Sequence, residues 1–95
     1  MTVTAEQVAR AMQEDHFFSD YRGETLLVQG TVASVEQKNG ETLIRLGTGL
    51  PTDVVCDVGT AATPVKAGDS LTAKAQADDA QRSSGSVLLR PCAVQ

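Results

Sequence analysis

At Gly23 the apolar residues change period, from about 3.6 to about 2, and the chain beyond that point reads as strands. Leu26, Val28, Gly30 and Val32 alternate with Leu27, Gln29, Thr31 and Ala33. The phase then slips, because Val35 is apolar where Ser34 would have continued the inner set. One extra residue near Ala33 and Ser34 accounts for the slip, and Gly30 in mid-strand permits a sharp bend. KNGE (38–41) follows, and its Asn-Gly pair suits the two positive-φ positions of a type I′ hairpin turn. TLIRL returns with Thr42, Ile44 and Leu46 on one face, and DVVCDV places Val54, Cys56 and Val58 together. SLTAKAQA turns Leu71, Ala73, Ala75 and Ala77 inward, and VLLRPCAV closes the sequence with Pro91 marking a bulge or an edge.

Strands are therefore predicted over about 25–37, 42–47, 53–58, 69–77 and 86–94, with GTGLPT (47–52) and DDAQRSSGS (78–86) as loops. The connector 59–68 is too short and too punctuated by Gly and Pro for a good helix. A helix is predicted over about 4–16, with Thr4 as N-cap, Gln7 completing a capping box, and Val3 and Val8 forming a hydrophobic staple. Five strands with a bent first one suit a small Greek-key barrel, since that strand pairs at both ends to close the sheet. A β-sandwich would want about seven.

At 95 residues the chain is a single domain. Its apolar fraction, 41%, comes from Val, Leu and Ala rather than from rings. No apolar run approaches the roughly 20 residues of a membrane helix, and no signal-peptide pattern opens the sequence, so no membrane role is expected. The expected location is cytoplasmic, with a processed exported form as the alternative. Eight Lys and Arg stand against twelve carboxylates, a net charge of −4, which argues against avid, sequence-independent nucleic-acid binding.

The stretches SDYRGETLLVQGTVASVEQKNGETLIRL, VVCDV, VKAGDSLTAKA and VLLRPCAV, in that order, resemble the OB-fold domains called tRNA-anti-like, from about Ala5 to Val94. The resemblance implies a mainly β fold, a five-stranded Greek-key OB-fold-like barrel with an N-terminal α-helix, and oligomer binding as a general capacity of such folds. One departure is that the connector leaves little room for the helix many OB folds carry between their third and fourth strands.

HFFSDYRG (16–23) gathers the chain's only histidine and all its aromatic residues, Phe17, Phe18 and Tyr21. OB folds that bind single strands carry stacking rings on their second and third strands, and here those strands have none. The cluster reads as a seam between helix and barrel, with one Phe and Tyr21 inward and His16 facing solvent at the helix end. Cys56 and Cys92 are too few and too far apart for a zinc site, and no metal or cofactor is expected. Strand pairing should bring them within bridging distance; buried thiols are the default in a cytoplasmic protein, a disulfide in an exported one. Asp78 and Asp79 read as a solvated turn, and Gly47 and Gly49 lack the Lys of a phosphate loop. No nucleophile, base and oxyanion donor assemble, so no enzyme is expected.

On the outer face of the second, third and fifth strands, Leu43, Val55 and Leu88 come together, rimmed by Arg45, Asp57 and Arg90. Either these form a contact patch or the N-terminal helix lies over them. The first functional expectation is a non-enzymatic module that uses this face to bind a protein partner or a second copy of itself, in a setting that handles nucleic acid. The alternative is weak single-stranded nucleic-acid binding through Arg45, Lys74, Arg82 and Arg90.

Overall fold

The computed structural model of the chain describes residues 1–61 and 64–95. Thr4 fixes the start of helix α1 (Ala5–Gln13): its side chain accepts a hydrogen bond from the Gln7 N–H at 3.1 Å. The Gln7 side-chain oxygen accepts one from the Thr4 N–H at 2.8 Å, which completes the capping box. Just before it, Thr2–Thr4 forms a short strand, β1, parallel to the long strand that follows. Val8, Ala11 and Met12 are buried, as their helical spacing requires.

The helix stops at Gln13, earlier than the predicted His16. No apolar residue extends the stripe, and Asp15 turns the chain at φ 63°. Arg82 holds this end, donating to the Met12 carbonyl at 2.9 Å and to the Asp15 carboxylate. A separate short helix, α2 (Phe17–Tyr21), then carries the aromatic cluster. Phe17 is 1% exposed and Phe18 is 43% exposed, while Tyr21 is half-buried against the core. Phe17 meets both other rings edge-on at 5.1 Å, so the cluster joins the helices to the core as a seam.

The remaining strands are β2 (Thr25–Lys38), β3 (Glu41–Gly47), β4 (Asp53–Gly59), β5 (Ser70–Gln76), β6 (Ala80–Ser83), β7 (Ser86–Leu89) and β8 (Cys92–Val94). They form a single eight-stranded sheet in the order β6-β7-β4-β3-β2-β5-β8, with β1 on β2 beside this path. The protein is thus mainly β with an N-terminal helix, and the hydrogen-bonded path is open, ending at β6 and β8. β2 pairs with β5 through its first half and with β3 through its second. The register shifts between Val32 and Ser34, where the apolar phase slips in sequence. Asn39 and Gly40, both at positive φ, make the tight turn into β3. At Gly30 an added Cβ would stand 3.2 Å from the Ala5 Cβ and 3.3 Å from Leu46, so glycine lets the helix start press onto β2.

Three features depart from the predicted strands. The segment 78–86, expected as a loop, holds a one-turn 3₁₀ helix (Ala77–Asp79) and the β6–β7 hairpin. The final strand, expected over 86–94, is two: β7 lies parallel to β4, and β8 lies antiparallel to β5. Pro91 separates them because it has no N–H for a ladder. With β1, also unexpected, the sheet has more strands than the five expected. The connector 59–68 includes residues 62–63, which lie outside the described residues; its described part contains no helix.

Cys56 and Cys92 come within bridging range, as expected, with Cα atoms 5.4 Å apart, but they form a disulfide rather than two thiols. The break at Pro91 causes this: β7 places Leu89 beside Cys56, and the chain then swings Cys92 across to β5 beside Ala75. The core runs from Val8, Met12 and Phe17 through Leu26, Val28, Ile44, Leu46 and Val54 to Val87 and Leu89. Among the described residues no helix is long and apolar enough to cross a membrane.

Candidate functional site

Alternation sets the site. On β3, β4 and β7 the residues Ile44, Val54, Cys56, Val87 and Leu89 turn toward the core and α1. Their neighbours Leu43, Arg45, Val55 and Leu88 turn the other way. Register places Arg45, Val55 and Leu88 in one row across the three strands, and Glu36, Leu43 and Asp57 in the next. The result is an open groove of about 580 Å³, walled by the β2–β3 hairpin on one side and the β6–β7 turn on the other. The described residues lining it include none from α1, which packs on the opposite, core side. The helix therefore does not cover the patch.

Five of the six expected contact residues, Leu43, Arg45, Val55, Leu88 and Arg90, line this groove, and Asp57 lies directly beneath it. Two are more deeply set than alternation alone implies. Val55 is 6% exposed and Asp57 2%, where both were expected at the surface. β4 has a strand on each side, so Arg45 and Leu88 crowd Val55, while Arg90 closes over Asp57. Of the residues expected for nucleic acid, only Arg45 and Arg90 stand together. Arg82 is committed to the end of α1, and Lys74 lies on β5, outside the groove lining.

Both guanidinium groups of the groove are already engaged. Arg45 donates to Asp53 at 2.8 Å and to the Ser86 hydroxyl at 3.2 Å, with Glu36 at 3.6 Å. Arg90 donates to Asp57 at 2.7 Å, with Glu41 at 3.6 Å. The Gly59 N–H also donates to Asp57, at 2.8 Å. Burial pushes the Asp57 carboxyl up, but hydrogen bonds outweigh it and hold the group below its ordinary range: from Glu41 once acid has protonated it, and from the Gly59 N–H and Arg90. Glu41 is raised, because it shares a hydrogen bond with Asp57 and stands beside that charge. Neither Asp57 burial nor the Glu41 contact carries a signal in the sequence, beyond an Asp placed two residues before a glycine.

A pH dependence follows from Asp57. A carboxyl lowered in the folded protein contributes stability above its unfolded value, about 3.9. That contribution is lost as the pH falls through the lower folded value. Urea midpoints measured between about pH 6 and pH 2 should show Asp57→Asn less stable than the parent at neutral pH. The gap should close as the pH drops below about 4. A gap that stays constant with pH would remove the ionised Asp57 from the account.

At the other end of the molecule His16 sits at the start of α2, not at the end of a long helix, and is half-buried where a solvent-facing residue was expected. Glu14 and Asp20 bond its ring and raise its pKa, in that order of effect. Among the described residues no group of three or more His, Cys, Asp and Glu side chains is arranged to hold a metal ion. No family model, curated protein or solved structure matches this chain.

Proposed function

We propose that this protein is a non-enzymatic OB-fold interaction module and that the groove over β3, β4 and β7 is where it binds a protein partner. The fold assignment gains support when β7 and β8 are taken as one strand interrupted at Pro91, with β1 and β6 as additions. Five strands then remain: β2 serves β3 and β5 with its two halves, and the last strand serves β4 and then β5. A small Greek-key barrel uses that connectivity.

The observation that carries the functional reading is the apolar floor of Leu43, Val55 and Leu88 lying under two guanidinium groups that are already neutralised. Protein contacts are anchored by apolar side chains inside a polar rim. Phosphate backbones are held by cations that displace the nucleic acid's own counterions, and here both guanidinium groups already have carboxylate partners. The cystine suits an oxidising compartment, which favours the exported form over the cytoplasmic one.

The test compares partners retained by the parent and by Leu88→Ser, with a labelled single-stranded oligonucleotide titrated in parallel. Protein retention that disappears in the variant is the expected result, with oligonucleotide binding no tighter than roughly 10 μM near 0.15 M salt. Submicromolar oligonucleotide binding would instead establish the nucleic-acid alternative.

A further inference from the structure

We propose that the groove takes an extended segment of a partner protein in which apolar residues adjoin at least one lysine or arginine, the apolar side chains crossing Leu43, Val55 and Leu88 and the cation lying over Glu36 and Glu41. This rests on the groove being a protein contact, and adds the chemistry of what it contacts.

The charge distribution selects the occupant. Each guanidinium has one close carboxylate, Asp53 at 2.8 Å on Arg45 and Asp57 at 2.7 Å on Arg90. Each also has a second, more distant one, Glu36 and Glu41, both at 3.6 Å. The close carboxylate neutralises the guanidinium, so the distant one is a surplus negative charge. The side chains of Glu36 and Glu41 are 51% and 41% exposed, open to a ligand.

The two surplus charges are not scattered. Glu36 lies directly across from Leu43 in register, and Glu41 lies two residues before Leu43 on the same face of β3. Glu36 therefore flanks the β2 side of the apolar floor, and Glu41 the end near the Asn39–Gly40 turn, where its carboxylate stands 3.6 Å from Arg90. Lys38 also lines the groove, across from Glu41, and offsets part of this charge: Glu36, Glu41, Asp53 and Asp57 stand against Lys38, Arg45 and Arg90, which leaves one carboxylate in excess. At the far end the floor meets Ser84 and Ser86, where the Arg45 guanidinium bonds Ser86 and is neutralised by Asp53. A segment crossing the strands thus meets net negative charge beside Leu43 and, beyond it, an apolar floor bounded by the paired Arg45 and Arg90. An acidic segment or a phosphate chain would face repulsion at Glu36 and Glu41 that Lys38 answers only in part.

The experiment screens the folded 95-residue chain against a randomised library of short extended peptides, then measures affinities for the enriched sequences. Enrichment of Lys or Arg next to Leu, Ile, Met or Phe is expected, with affinity falling as salt rises. The paired change Glu36→Gln and Glu41→Gln should weaken the enriched peptides about tenfold and leave versions lacking the basic residue unchanged. Leu43→Ser and Leu88→Ser, each checked by circular dichroism, should weaken both kinds. Apolar peptides enriched without a basic preference would overturn this inference and leave the protein-contact reading standing. Peptides bound equally by the folded Leu43→Ser and Leu88→Ser variants, or no enrichment at all, would overturn both. So would a single-stranded oligonucleotide that displaces the enriched peptides.

Discussion

Phe17→Ala should cost about 3–5 kcal/mol, whereas Phe18→Ala, one residue along, should cost under about 1 kcal/mol. The two side chains are chemically identical and adjacent, so the difference isolates position. Phe17 is 1% exposed and belongs to the same buried cluster as Met12 and Leu26. Phe18 is 43% exposed and meets the Phe17 ring edge-on. Truncating Phe17 removes a large buried ring and leaves a cavity between α2 and the sheet that a five-residue helix has little means of collapsing. A domain of this size melts about 4–8 °C lower for each kcal/mol lost. Thermal melts of the two variants should therefore differ by more than about 10 °C. Equal melting temperatures would mean that the cluster is no seam and that its rings are free for another use.

Breaking the Cys56–Cys92 bond has an effect of the same order. The bond closes a loop spanning 36 positions, and confining an unfolded loop of that length is worth about 2–4 kcal/mol. A small domain without an unusually large core draws a substantial share of its total stability, about 5–15 kcal/mol, from such a link. Melting with and without a dithiol reductant should show a fall of on the order of 15 °C in the reduced protein. Cys56 is fully buried and Cys92 is 7% exposed, so the bond should resist reduction until the protein opens. Matching melts in both states would show that the sulfurs carry no constraint beyond that of their strands.

Where a few neighbouring residues determine the outcome, the sequence is easily read. The capping box at Thr4, the slip between Val32 and Ser34, and the Asn39–Gly40 turn are each set within four or five residues, and each stands where the local chemistry puts it. Residues settled by distant partners are harder to read. Nothing near Ala80–Ser83 marks a strand, because only Ala80 is buried and the hairpin depends on Ser84 and Gly85 both adopting positive φ. α2 has no side-chain cap and exists because Phe17 reaches the core. The groove was legible as a face, since alternation alone puts Leu43, Arg45, Val55 and Leu88 on one side. Its depth was not, because the burial of Val55 and Asp57 depends on strands that flank β4 from remote parts of the chain.

The cystine also divides the molecule in a way that the sheet does not. Between Cys56 and Cys92 the backbone forms a covalent ring that carries β5, β6 and β7, while β1, both helices, β2 and β3 hang outside it as an open arm. A single peptide bond cut within the ring, for instance in the turn at Ser84–Gly85, linearises the ring and releases nothing. A cut in the arm, at Asn39–Gly40, leaves two pieces that only non-covalent pairing holds together. Damage to the two hairpin turns is therefore unequal in consequence: one nick is silent until a reductant arrives, and the other is final as soon as the strands part.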